Sequence, residues 1–505
     1  MSLLAVDMGS SSCKAVAFSD DGQMLAQKSH TYASQRSHSS FAEIHPDLFW
    51  DALCAVASGI GQELGKDPPR QLCISSHGET FVPVDAKQQP VGAAILNIDN
   101  RAVQQSHWLV GTLGRRRLFE ITGLVPHPMY PLPKMLWLRE NQPDAVAVTT
   151  QFLPLTSYLQ CRLGLPPYVD YSLASRFLAF DVSQRCWSEE ILQACGFTSA
   201  QLPTPVPAGS VAGRLSAEAA SNLGLEARTQ VIVGGHDQPC GALGMGVLEP
   251  GRVSASLGTY ECLVSASETP AINDLAYAAN LNTYCHVVPG RFVTLAYFPA
   301  GIMIEWLSRL LGASLGQEAE WYVVLERQAR EGPTGLSVMP HLPGSSTPDF
   351  DPYASGVISG IRATTTRSDL YKGILEGIAC EFACAIQLLE QAVGPIKEIH
   401  VGGGGCHSAL GLRLRASISG HAVYRARCSE AVCMGTAIVC AVGAGVYSGF
   451  PEAVNRFVGD AEVTLPESSL SDTYRHALDE HRILYSGLSP LRHAQAARPI
   501  YKEHQ

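Results

Sequence analysis

The sequence predicts an α/β chain of two related domains that face a cleft. Three observations carry this expectation. Short apolar strands alternate with amphipathic helices, most of the strands end in glycine-bearing loops, and such a loop stands near the start of each half. The length agrees, because 505 residues with 46% hydrophobic content exceed what one core holds.

Leu3 to Val6 and Val16 to Phe18 read as strands around the turn Asp7-Met8-Gly9-Ser10-Ser11-Ser12, and Asp21-Gly22 marks the next turn. A strand over Gln71 to Ser76 leads into His77-Gly78-Glu79-Thr80. The Pro- and Gly-rich stretch from Pro203 to Gly213 reads as a surface connection. Val231 to Val233 is a short buried strand running into Gly234-Gly235-His236-Asp237. The domain boundary is placed near Gly244 to Gly251, giving domains over 1–245 and 246–505. Val253 to Leu257 then ends at Gly258-Thr259, and Ile399 to Val401 enters the glycine run 402–405.

Two helices stand out. Leu370, Ile374, Ile378, Phe382, Ile386 and Leu389 recur at helical spacing, with Ser368 or Asp369 as cap and Gly394 as stop. A shorter helix begins after Gly301, with Leu307, Leu310 and Leu311 on its apolar face. No residue between Glu430 and Glu452 is charged, a length that could cross a membrane. Its small residues and glycines favour a buried helix ending in a turn. The tail after Leu465 reads as a polar helix without an assigned role.

A net charge of −10, with only 16% charged residues, disfavours nucleic acid as a partner. The N-terminus shows no basic segment followed by an apolar one, so no export signal and no membrane partner are expected. Fifteen cysteines without framework spacing predict free thiols in a reducing cytoplasm.

The chemistry concentrates in the glycine loops. In the turn after Asp7, successive N–H groups and serine hydroxyls suit a phosphate, and Asp7 at a strand end is placed to hold Mg²⁺ directly or through water. Gly258-Thr259 offers a second phosphate loop. Four consecutive glycines at 402–405 are costly to order, which fits close approach by a flat ligand or another backbone. Neither GxxxxGK[ST] nor GxGxxG occurs, which removes the P-loop and dinucleotide readings. Asp237, with glycines on both sides, can accept a proton from an attacking hydroxyl, and it can equally cap the helix that follows.

Taken together, these segments resemble the FGGY carbohydrate kinases. Met129 to Asn141 (MYPLPKMLWLREN) is similar to the family's first signature, and Gly356 to Ile361 with Asp369-Leu370 and Leu375-Glu376 to the second, where Gly373 replaces the usual Ala or Ser. The blocks DxGS, WLxEN, DYSxAS (Asp170 to Ser175), GGxD, GT and GGGG keep the family order, over roughly residues 3 to 450. The resemblance implies two actin-like (ribonuclease H-type) ATPase domains flanking a catalytic cleft for ATP and a sugar. It places Gly9, Ser10, Ser11 and Lys14 on the first phosphate loop and Asp237 at the catalytic base. Gly258 and Thr259 fall on the second phosphate loop, and Gly301, Glu305, Gly404, Gly405 and Ser408 at the nucleotide. Glu79, Asp99, Arg101, Met129 and Gln238 fall at the sugar. A homodimer is common in the family.

The subfamily signals conflict. Ser76-His77-Gly78-Glu79-Thr80 stands where xylulokinases carry GQMHG, with Glu79 at their His, and where glycerol kinases carry Arg-Glu-Thr, so the Arg is lost at Gly78. Asp237-Gln238 resembles glycerol kinase, Thr259-Tyr260-Glu261 resembles fuculokinase, and Ala94 to Arg101 resembles pentulose kinases with Asn97 at their Trp. A ketose such as xylulose is the first expectation, with another pentulose, a hexulose, glycerol or a tetritol as alternatives. An actin-like ATPase and a non-catalytic sugar sensor remain open at this stage, because fold alone does not fix function.

Overall fold

The computed structural model describes residues 2–34, 40–312 and 318–496. Its N-terminal half is organised by a six-stranded sheet of β1 (Ser2–Met8), β2 (Ser12–Ser19), β3 (Met24–Thr31), β4 (Gln71–Ser76), β5 (Val211–Arg214) and β6 (Gln230–His236). The order is β5-β6-β4-β1-β2-β3. β1, β4 and β6 run parallel, whereas β1-β2-β3 form an antiparallel meander and β5 pairs antiparallel with β6.

The second half repeats this plan. Its strands are β7 (Arg252–Leu257), β8 (Tyr260–Ser267), β9 (Asn282–Cys285), β10 (Phe292–Pro299), β11 (Glu398–Gly402), β12 (Val423–Arg425) and β13 (Glu462–Thr464), in the order β9-β10-β8-β7-β11-β12-β13. β7, β11 and β12 are parallel, β8 and β10 continue an antiparallel meander, and β13 pairs antiparallel with β12. β7 therefore stands where β1 stands in the first sheet, and β11 stands where β4 does. Parallel strands bring their carboxyl ends, and the loops that follow them, to one edge of each sheet.

Period-two alternation puts the two faces of β1 into different cores. Leu4 and Val6 join Phe49, Leu53, Val56 and Ile60 of α1 (Pro46–Leu64), an apolar stripe at helical spacing. Leu3 and Ala5 face the opposite layer, built from α3 (Asp237–Gly244) and α7 (Ala431–Gly443), which contribute Leu243, Met434, Ala437 and Ile438. Between α1 and α3 in the chain lies α2 (Pro131–Asn141), the helix of the WLxEN block, and its Leu132, Met135 and Leu136 are buried. Full burial of each large apolar side chain contributes roughly 1.5–3 kcal/mol.

The uncharged run before Glu452 is thus a buried helix, α7, with a turn after it, and among the described residues no helix is long and apolar enough to cross a membrane. Helix α7 belongs in sequence to the second half yet packs on the first sheet and crosses α3 at contact distance. A Cβ added at Gly435 would lie 1.7 Å from the Cys240 carbonyl, and one at Gly244 would lie 1.9 Å from that of Ala431. Only glycines allow this crossing.

Helix α4 (Gly301–Leu310) starts where the sequence places it, but Leu310 and Leu311 are 62% and 38% exposed, leaving Leu307 as the buried leucine. The long helix α5 (Arg367–Val393) has its cap two or three residues before the expected one. Thr366 caps it through the Asp369 N–H, Asp369 returns the bond to the Thr366 N–H, and Gly394 stops it at φ 98°. The stretch from Pro203 to Gly213 is not only a connection. Thr204–Val206 pairs with Tyr168–Asp170, and β5 begins at Val211. After α6 (Ala409–Ser419), the tail forms α8 (Ser468–Gly487), which docks on α5 through Tyr474 to Glu376 at 3.1 Å and His481 to Glu381 at 2.9 Å.

Candidate active site

The hairpin β1-β2 places Asp7 opposite Lys14. Between them the Gly9 N–H donates to the Ser12 carbonyl at 2.9 Å, and the Tyr32 hydroxyl braces the turn from below by donating to the Gly9 carbonyl. Ser10 and Ser11 form the rim of this turn. Asp7 Oδ1 is buried with no hydrogen-bond partner. Burial pushes its carboxyl up to about 6, against the pull of Lys14 and with a further push from Glu430. Lys14 reaches across the cleft to Glu430, the residue before α7, with Nζ 3.0 Å from Oε2.

Asp237 is the first residue of α3 rather than its cap, which is His236. A register shift between Val233 and His236 turns the chain out of β6 at the two glycines and presents Asp237 to the cleft. Its carboxylate lines a cavity of about 190 Å³ together with Asp7, Lys14, Gln238, Cys262, Gly402 and Gly403. Oδ1 is buried and unpartnered. Burial first, then the charges of Asp7 and Glu79, hold this carboxyl well above the usual range. His236 Nε2 lies 3.2 Å from Asp237 Oδ1, out of alignment for a hydrogen bond. Burial and the nearby Arg176 keep that imidazole neutral, and its Nδ1 meets the Tyr284 hydroxyl at 3.0 Å. His77 is spoken for on both sides, by the Met8 carbonyl at 2.8 Å and Thr80 Oγ1 at 2.7 Å.

A second cavity, of about 700 Å³, collects Gly258, Thr259, Gly301, Glu305, Gly404, Gly405 and Ser408 from three separate stretches of chain. Gly301 packs on the second loop, where a Cβ would lie 2.5 Å from the Gly258 carbonyl. Gly404 differs, since a Cβ there would meet nothing within 4 Å. Thr259 Oγ1 donates to Glu305 Oε1 at 3.3 Å, and Ser408 Oγ caps α6 by accepting from the Gly411 N–H at 2.9 Å. Tyr322 stacks on Tyr371 at 5.8 Å beside Glu326, giving the cavity an aromatic wall suited to a nucleoside. Glu261 and Arg415 form a buried ion pair in the same lining, with Arg415 Nε 3.2 Å from Oε2. A third space, of about 730 Å³, shares Lys14, Gly402 and Gly403 with the first cavity and Gly404 and His407 with the second. The glycine run after β11 therefore borders all three.

The residues expected at a sugar separate into two groups. Gln238 lines the Asp237 cavity, and Glu79, buried in a left-handed backbone conformation at φ 63°, acts electrostatically on Asp237. Asp99 and Arg101 instead satisfy each other. Arg101 Nε and Nη2 lie 2.9 and 2.7 Å from the two Asp99 oxygens, the guanidinium sits between Phe41 and Trp137, and Asp99 Oδ2 also accepts from the Ala42 N–H at 2.7 Å. Met129 is half-buried against the core of the first half.

Arg176, Cys262, Glu430, the Tyr322–Tyr371 wall and the Glu261–Arg415 pair escaped the sequence reading. A signal existed for Arg176, which directly follows the DYSxAS block, and for Glu261, which ends the GTYE stretch. No signal existed for the others. Among the described residues no cluster of three or more His, Cys, Asp or Glu side chains forms a ready-made metal centre. The two orphaned oxygens of Asp7 and Asp237 nonetheless fit a hard cation that keeps most of its waters.

Comparison with known proteins agrees with this arrangement. The N-terminal domain of the FGGY family of carbohydrate kinases matches residues 2–244, and its C-terminal domain matches residues 253–444. The chain is 26% identical to the xylulose kinase of Escherichia coli (strain K12) over 497 residues, covering 97% of this chain and 99% of that one. It is 29% identical to the glycerol kinase of Citrifermentans bemidjiense over 459 residues, covering 88% and 90%. The crystal structure of a gluconate kinase from Lactobacillus acidophilus superposes with a TM-score of 0.89 at 19% identity, covering 96% and 98%. Two repeated actin-like sheets, glycine loops at their carboxyl edges and two aspartates, Asp7 and Asp237, in one cavity thus accompany the family match, and the chain belongs to the FGGY family of carbohydrate kinases.

Proposed function

We propose that this kinase transfers the γ-phosphoryl group of ATP to a hydroxyl of a small ketose, with D-xylulose the first candidate, in carbohydrate catabolism in the cytoplasm. The observation that carries the reading is the position of Asp237, which stands in a small cavity walled by the glycine run that also borders the larger, nucleoside-sized one. The sugar hydroxyl gives its proton to the Asp237 carboxylate as its oxygen forms a bond to the γ-phosphorus, and the bond from that phosphorus to the bridging oxygen breaks to release ADP. The two glycine loops and Ser10 donate N–H and hydroxyl groups to phosphate oxygens, and Lys14 supplies positive charge beside them. Mg²⁺, held by Asp7 and the nucleotide, would neutralise phosphate charge.

The ketose is favoured over glycerol by the space at residue 78. A Cβ there would lie 2.9 Å from His236 Nε2 and 3.2 Å from Arg176 Cγ, so the arginine of glycerol kinases would displace those side chains. The likeness to xylulose kinases supports the same choice. The test is ADP release across pentuloses, hexuloses, pentitols, glycerol and gluconate. D-xylulose is expected to give the highest kcat/KM, and a higher value with glycerol or gluconate refutes the assignment.

A further inference from the structure

Lys14 is the one cation among the described residues that line the Asp237 cavity, and it shares that lining with three carboxylates, Asp7, Asp237 and Glu430. It is committed to Glu430. Nζ lies 3.0 Å from Oε2 and 3.3 Å from Oε1, so one ammonium group spans the whole carboxylate. Gln27 Nε2 donates to the same group at 3.2 Å from Oε1. The two charges stand 416 positions apart in the chain, one on β2 and one at the start of α7.

The charge is thus in use where the proposed reaction needs it. A hydroxyl held at Asp237 can attack only a phosphorus that has entered this cavity, and the oxygens on that phosphorus need a cation. Lys14 also lines the adjoining space of about 730 Å³ beside Arg425, Arg427 and His407, whereas Glu430 lines only the smaller cavity. The lysine therefore stands where a phosphate chain would pass from one space to the other, with its present partner on the inner side.

The pair can open at little cost. The Lys14 side chain is 41% exposed and that of Glu430 16%, and an ion pair that water reaches contributes little stability. Lysine also carries its charge on a flexible four-carbon stem. Glu430 holds the N-cap position of α7 but makes no capping bond through its side chain, so the helix does not depend on where this carboxylate points.

We propose that Glu430 stands in for the terminal phosphate of the nucleoside triphosphate in the empty cleft. It holds Lys14 until that phosphate displaces it, and it takes Lys14 back when only the diphosphate remains. The inference rests on the kinase function proposed above. Glu430 is in it a positioning residue, which acts through Lys14 and weakens triphosphate binding selectively, because a diphosphate has no group that competes at that place. With the pair open about one tenth of the time, apparent triphosphate affinity falls about tenfold below that of a free Lys14.

Calorimetric titration of the full-length chain with ADP and with the β,γ-imido analogue of ATP, at one Mg²⁺ concentration and without sugar, tests this. Glu430→Gln is expected to tighten the analogue about tenfold and ADP no more than about twofold. In Lys14→Met, adding Glu430→Gln should change analogue affinity by less than about twofold, because the carboxylate then has nothing to hold. Equal tightening of both nucleotides, or tightening that persists without Lys14, means that Glu430 is only one more negative charge in the cleft, and either result overturns the proposal. Weaker analogue binding in Glu430→Gln overturns it as well, since Glu430 would then aim Lys14 at the phosphate. If Glu430→Gln does not fold, Glu430→Ser, which supplies a capping hydroxyl, carries the same comparison. A wild type that binds neither nucleotide sinks the kinase reading and this inference with it. A wild type that binds both, while Glu430→Gln shifts neither, sinks this inference alone.

Discussion

Asp7 and Asp237 face one cavity from the ends of two parallel strands, and each keeps a buried Oδ1 that no donor reaches. The charge of Asp7 adds to burial in raising the proton affinity of Asp237, and two carboxylates left unpaired in one small space ask for a cation. Asp237→Asn removes the proton acceptor while preserving shape. It should lower kcat by about 10³-fold, within the range typical of a general base, and leave ATP affinity within about threefold. Steady-state kinetics and a calorimetric titration with ATP check this, and normal turnover would remove Asp237 from the mechanism.

Asp7→Asn acts on the other oxygen. The Mg²⁺ concentration for half-maximal rate should rise by about 10-fold or more, with the sugar KM little changed, because the substitution weakens a cation ligand and not a sugar contact. An unchanged Mg²⁺ requirement contradicts the role given to Asp7.

The pH profile follows from the raised carboxyl of Asp237. A base works deprotonated, so activity is full above its folded-state value and is lost as pH falls through it. The acid limb of kcat/KM is therefore expected above the usual carboxylate range. A limb near pH 4, the value of an exposed carboxylate, counts against the assignment.

Two glycines separate packing from binding. Gly435→Ala drives a methyl into the Cys240 carbonyl and should cost about 2 kcal/mol or more, seen as a lower Tm. Gly404→Ala meets no protein atom within 4 Å. Its Tm should stay within about 1 °C of wild type while the ATP KM rises about 10-fold, because the added methyl occupies ligand space.

Lys134 is wholly buried, donates to the Leu96 carbonyl at 2.7 Å, and is pushed down to about 7 by desolvation. Between that value and 10.5 the unfolded chain binds more protons than the folded one, so this group makes stability rise with pH across the window. Lys134→Met should therefore gain most relative to wild type at pH 7 and below, and the gain should shrink toward pH 10. Chemical denaturation at several pH values measures it, and a difference independent of pH rejects the buried-lysine explanation.

Local chemistry was legible in the sequence. The strand-loop units at Asp7, Asp237, Gly258 and the glycine run at 402–405 stood out because turn residues and period-two apolar runs are written in a few adjacent positions. The long helix was legible for the same reason. Its cap was misplaced by two or three residues because Thr366 and Asp369 bond reciprocally, and either pattern fits the start. Leu310 and Leu311 show the limit of periodicity, which marks an apolar face without showing whether anything covers it.

Partners distant in the chain were decided only by the tertiary structure. The strands at 204–206 and 211–214 exist because Tyr168–Asp170 and β6 lie alongside them, and no local signal competes with the prolines and glycines there. Asp99 and Arg101 looked like ligands in sequence, but Ala42, Glu43, Phe41 and Trp137 complete their coordination from elsewhere. Arg176 carried no local signal, and its buried place was decided by residues 79, 130 and 284, which converge on it. The sequence by itself determined the fold class, the family resemblance and the aspartate that carries the proposed chemistry, since each depends on residue type and near spacing. Which polar atoms are left unpaired in the cleft was decided by packing, because desolvation and hydrogen-bond satisfaction are properties of contacts between segments far apart in the chain.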